Sequence, residues 1–119
     1  MTYNNKALTA KLQVPNIGEV LSSEFLEPKN ISQNRLAKAL GIPQNRISEI
    51  INGKRRISAD TDLRLCKYFG LTDGYFSGMQ MDFERISSKH KLQKELQKIT
   101  PLKITWEAFQ KLQFLEKLH

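Results

Sequence analysis

Apolar residues first fall into helical register at Ile17, Val20, Leu21 and Phe25, spaced three and four apart, the signature of an amphipathic helix. Residues 1–14 (MTYNNKALTAKLQV) carry no clear period and predict a loose N-terminal arm closed by Pro15. Pro28 and Asn30 end the first helix. Ser32 is a good N-cap for a second, with Leu36, Ala37 and Leu40 inward and Gly41 as its left-handed terminator. Pro43 suits the start of a third, because its missing N–H costs little there, and Ile47, Ile50 and Ile51 form that helix's buried stripe. Asn52-Gly53 marks a turn. Ser58 caps a fourth helix with inner face Leu63, Leu65, Cys66 and Phe69; Asp60 and Asp62 fall in its first turn, where the macrodipole favours negative charge. Thr72-Asp73 opens a fifth, carrying Tyr75, Phe76, Met79, Phe83 and Ile86. A further series, Leu92, Leu96 and Ile99, runs to Pro101, and a last segment holds Trp106, Phe109, Leu112, Leu115 and Leu118. No strand alternation of useful length and no internal repeat interrupts this pattern, which predicts an all-α chain. Its expected divisions are an arm over 1–14, a five-helix domain over 15–86 and a helical extension over 87–119.

The stretch SQNRLAKALGIPQNRISEI, residues 32–50, carries the most information. Two helices too short to persist alone in water are joined by a tight glycine turn, the pattern of a helix-turn-helix. Ala37 must be small where the helices cross, Gly41 must take a backbone that side chains resist, and Ile42, Ile47 and Ile50 fill the angle. With the isoleucines inward, Gln44, Asn45 and Ser48 face outward, with Arg46 beside them. Such a tip in a major groove presents Gln and Asn to adenine and Arg to guanine or phosphate. Lys54, Arg55 and Arg56, one turn beyond, suit phosphates, which set affinity and salt dependence rather than sequence choice. Gln33, opening the preceding helix, suits a phosphate contact and can buttress Gln44.

Charge strengthens this reading. The chain of 119 residues has 19 Lys+Arg against 12 Asp+Glu, a formal charge of +7. Residues 30–58 hold six basic groups against Glu49 alone, and residues 84–119 hold eight basic and four acidic groups. A basic patch beside a displayed helix favours a polyanion, and nucleic acid is the commonest. The single cysteine, Cys66, excludes an internal disulfide and suits a buried small hydrophobe. No metal cluster, cofactor motif or catalytic His/Cys/carboxylate set is present, so an enzyme is not expected. No apolar run reaches membrane-spanning length and no signal pattern opens the chain, which predicts a cytoplasmic protein.

IGEVL…EFLEP, SQNRLAKALGIPQNRISEIINGKRRISADT and YFSGMQ together resemble the HigA-type antitoxins, a branch of the phage-repressor-like (XRE) helix-turn-helix family. The resemblance covers about residues 15–86. It implies a five-helix homodimer that binds operator palindromes, represses its own operon and neutralises a RelE-like, mRNA-cleaving ribonuclease toxin. It further implies that Gln33, Gln44, Asn45, Arg46 and Ser48 face the operator, that Lys54 and Arg56 reach its backbone, and that helix five lies in the dimer interface. Tyr75, Phe76, Met79 and Phe83 are then the dimer-interface residues, although helical spacing alone leaves Tyr75, Phe76 and Met79 as core or interface. The chain departs from the family in having Asn16-Ile17 where a His-Pro pair is frequent, Asp62 where a small apolar residue is usual, and Phe76-Ser77 around a frequent tryptophan. Two other readings stand beside this one: a stand-alone repressor without a toxin, and a protein-binding adaptor that has lost DNA binding. In the adaptor the polar helix tip and the Lys-Arg-Arg run are solvated surface; in any of these readings the aromatic tail docks on the domain, grips a partner or forms a swapped contact, with docking ranked first.

Overall fold

A computed structural model describes residues 14–103 and 105–118, and every described element is helical. The expected arm lies almost wholly outside the described residues. Helix α1 (Ile17–Val20) continues as a π-helical segment over Leu21–Leu26. Asn16 opens it: its Oδ1 accepts the Glu19 N–H at 2.9 Å while its Nδ2 donates to the Glu19 carboxylate at 3.1 Å. The Asn16 side chain thus caps the Glu19 N–H and is itself steadied by the Glu19 carboxylate, so Asn16 serves as the N-cap. In the π segment the Glu27 N–H reaches back five residues to the Ser22 carbonyl at 2.9 Å. The wider turn brings Leu21 and Leu26, five apart, onto one side, and both are buried.

Helix α2 (Gln33–Leu40) starts at Ser32, whose Oγ accepts the Arg35 N–H at 3.0 Å. It ends at Gly41 with φ 70°, where the Ile42 N–H closes on the Ala37 carbonyl at 3.1 Å. Helix α3 (Gln44–Ile51) follows at once, Pro43 acting as N-cap. Ala37, Leu40, Ile42, Ile47 and Ile50 are all buried at the crossing. Gly18 of α1 backs the far end of α3 so closely that a Cβ there would overlap the Ile50 carbonyl oxygen.

Helix α4 (Ala59–Phe69) is capped by Ser58, and α5 (Tyr75–Lys91) packs on it. Phe25 of the π-helical segment joins the two helices through ring contacts with Phe69 at 5.1 Å and Phe76 at 4.9 Å. Leu21, Leu36, Ile47, Leu65, Cys66 and Phe76 are fully enclosed at the centre. Cys66 behaves as the expected buried hydrophobe.

Four expectations need correction. Leu63 is 48% exposed, because Thr61, Asp62, Leu65 and Cys66 take the inward side of α4 and leave Leu63 opposite them. Asp62 is buried: its carboxylate accepts the N–H groups of Gly74 (2.7 Å), Phe76 (3.0 Å) and Ser77 (2.8 Å), capping α5 from a neighbouring helix. The role expected of Thr72-Asp73 therefore falls to Asp62. Phe76 and Phe83 lie with Gln80 on one stripe of α5 that faces the chain's own core, so they are not surface for a second copy. Finally, the tail does not dock. Short α6 (Gln93–Gln97) and α7 (Trp106–Glu116) leave Leu96, Trp106, Phe109, Leu112 and Leu115 each more than 40% exposed.

Candidate nucleic-acid interface

Helix α3 is positioned by its isoleucines. Ile47 and Ile50 are 0% and 1% exposed, which turns Gln44 and Asn45 outward, where both are exposed. Ser48 is half-buried one turn along the Gln44 ridge, and its Oγ accepts from the Asn52 side chain at 3.4 Å. Pro43 offers no side-chain acceptor, so the first N–H groups of α3 carry no side-chain cap. Such uncapped donors, at the positive end of a helix dipole, are suited to an anionic partner. Gln33 is half-buried at the start of α2, and among the described residues no hydrogen bond joins it to Gln44.

The basic side chains are less free than their sequence suggests. Arg46 lies 4.0 Å from Asp60, a carboxylate already bonded by Arg64 Nε at 2.8 Å. The same Arg64 donates through Nη1 to the Leu40 carbonyl at 2.7 Å, closing the C-terminal end of α2. Arg55 sits 3.4 Å from Glu49 of α3 itself. Arg56 forks onto Glu84 of α5, Nε to Oε2 at 2.6 Å and Nη2 to Oε1 at 2.8 Å. Those two hydrogen bonds, more than the neighbouring positive charge, hold the Glu84 carboxyl below the usual carboxylate range and raise Arg56 further. Lys54 is exposed and makes no ion pair among the described residues. Asp60 and Glu84 add two negative charges and Arg64 one positive charge to the +5 of residues 30–58, leaving a local excess of +4.

The loop carrying these cations is fastened to α5. The buried Gln80 amide pairs with the Ile57 backbone in both directions, Ile57 N–H to Oε1 at 2.7 Å and Nε2 to the Ile57 carbonyl at 3.0 Å. Gln80 and Glu84, one turn apart, thus grip consecutive residues of the loop. Sequence reasoning missed both of them, along with Arg64, whereas Asp60 was already a candidate partner for Arg46. The one available signal was Gln80, a polar residue between Phe76 and Phe83 on an otherwise apolar stripe. Of the residues expected at a dimer surface, Tyr75 is 41% exposed and Met79 half-buried. Among the described residues no group of His, Cys, Asp or Glu is arranged to hold a metal ion, and no helix is long and apolar enough to cross a membrane.

A helix-turn-helix family model matches residues 23–76, spanning α2 to α4 and both neighbouring turns. Virulence-associated protein I of Dichelobacter nodosus is 48% identical over 62 residues, half of this chain and 57% of that protein. Antitoxin HigA-1 of Vibrio cholerae is 30% identical over 92 residues, covering 77% of this chain and 87% of the relative. The structure is similar to that of Pseudomonas aeruginosa antitoxin HigA, solved with the higBA promoter. The TM-score is 0.69 at 29% identity, covering 76% of this chain and all of that one. The fold is shared along about three quarters of this chain and nearly all of these last two relatives, and the chain belongs to the HigA-type antitoxins, a branch of the helix-turn-helix family of DNA-binding regulators rather than enzymes.

Proposed function

We propose that this chain is an operator-binding repressor and the antitoxin of a toxin–antitoxin pair. The carrying observation is the outward, uncapped tip of α3, with Gln44 and Asn45 exposed while Ile47 and Ile50 are buried. Residues 15–86 are the unit that binds DNA and pairs with a second copy; residues 87–119 extend it. Gln44, Asn45, Arg46 and Ser48 meet base edges, and Gln33, Lys54, Arg55 and Arg56 lie towards the phosphate backbone. A homodimer formed through the surface of α5 that includes Tyr75 and Met79 sets two copies of α3 about 34 Å apart, one turn of DNA. The Pseudomonas aeruginosa relative, solved with its promoter, supports the DNA partner, and the Vibrio cholerae relative, an antitoxin, supports a toxin partner. That partner is a RelE-like ribonuclease, and the site of action is the cytoplasm.

Footprinting on the chain's own promoter tests the DNA reading. Protection should disappear in the Gln44→Ala/Arg46→Ala variant, since each good base contact contributes about 1–3 kcal/mol of discrimination. Undiminished protection in a folded variant contradicts the assignment. Co-expression with the adjacent gene tests the toxin separately: growth rescue and co-purification are expected, and their absence leaves a stand-alone repressor.

A further inference from the structure

The loop between α3 and α4 is held to α5 by two contacts of different character. Gln80 is 5% exposed and satisfies both backbone groups of Ile57, so it fixes where the loop sits. The Arg56–Glu84 pair lies on the surface, with side chains 61% and 41% exposed. Exposure screens such a pair, but its bidentate geometry is the favourable case for a surface ion pair. Its consequence is electrostatic. A carboxylate fork and a phosphate offer a guanidinium the same bidentate geometry, so one occupies the donors that the other would use. Glu84 is therefore placed to compete with DNA for Arg56, while neighbouring Lys54 carries no such partner among the described residues.

We infer that Glu84 restrains operator affinity: its carboxylate holds the Arg56 guanidinium in a two-point ion pair and withholds it from the DNA backbone. This rests on the operator reading above. Phosphate contacts are indifferent to sequence, so the restraint acts equally on operator and unrelated DNA. It leaves the base-reading tip of α3 untouched. The side chain that looks, from sequence, like a phosphate ligand thus contributes one only when Glu84 releases it.

The test compares the wild-type chain with Glu84→Gln, Arg56→Gln and the double variant, by binding to operator and to random-sequence duplex over a salt series. Glu84→Gln keeps the shape of the acceptor and removes its charge. It should tighten both complexes by the same factor, roughly five- to tenfold near 0.1 M salt. It should also steepen the slope of log affinity against log salt by about 0.9, the increment for one further phosphate contact. In the Arg56→Gln background the same substitution should change neither. The proposal is overturned if Glu84→Gln leaves the slope unchanged, if it weakens binding, or if its gain survives without Arg56. A wild-type chain that binds operator while the variants do not differ sinks this inference alone. A wild-type chain without operator binding sinks the operator reading and this inference with it.

Discussion

Asp62 is 2% exposed and answers its burial with four hydrogen bonds rather than a salt bridge. Three come from the backbone at the start of α5, the fourth from the Cys66 thiol at 3.6 Å. A carboxylate at a helix N-terminus is favoured twice, by the unpaired N–H groups and by the helix dipole. Gly74, the N-cap of α5, has no side chain to offer, so Asp62 is the only side-chain cap that helix has among the described residues. Asp62→Ala should therefore leave buried donors unpaired and lower stability by roughly 2–3 kcal/mol in denaturant unfolding. An unchanged midpoint would show that α5 does not depend on it. The sequence places Asp62 in the first turn of α4, which is correct, but that turn faces α5, and the partner twelve residues away is set by packing rather than by spacing.

Helices whose signals are local were legible element by element. Ser32, Gly41, Ser58 and Gly70 all stand at the ends their chemistry predicts, because caps act over three or four residues. The glycine turn between α2 and α3 was legible for the same reason. Phase was harder in α4: leucines at 63 and 65 cannot both face inward, and only the neighbouring helices decide between them. The π-helical stretch in the first helix left no sequence signal, since it is imposed by burying both Leu21 and Leu26. The tail shows the opposite limit. Its periodicity forms helices as expected, yet periodicity says nothing about what covers them, and Trp106 remains 67% exposed. Because every described side chain from residue 91 onward is exposed, the tail contributes nothing to the core. Truncation after Lys98 should leave the thermal midpoint of the domain unchanged within about 2 °C, against the 4–8 °C that 1 kcal/mol shifts in a domain of this size. A larger fall would mean the tail packs on the domain after all.

Across the whole molecule, the arrangement converts a set of modest local preferences into one displayed surface. Isoleucines and small residues lock α3 at a fixed angle, Gly18 lets α1 brace its far end, and Gln80 fastens the loop that follows. The candidate interface was readable because its outward residues are the complement of a buried stripe on a single short helix. Its charge balance was only partly readable: Asp60 lies close enough in sequence to suggest a bridge to Arg46, but Glu84 reaches Arg56 from 28 residues away. The central claim is that the N-terminal tip of α3 meets DNA. The most direct measurement is a residue-resolved NMR titration of the full chain with its own promoter duplex. The account predicts the largest shifts in the backbone and side-chain amides of Gln44 and Asn45, with smaller ones at Lys54–Arg56 and none at the Trp106 indole. Shifts confined to the tail or to the outer face of α5, with Gln44 and Asn45 silent, would contradict it.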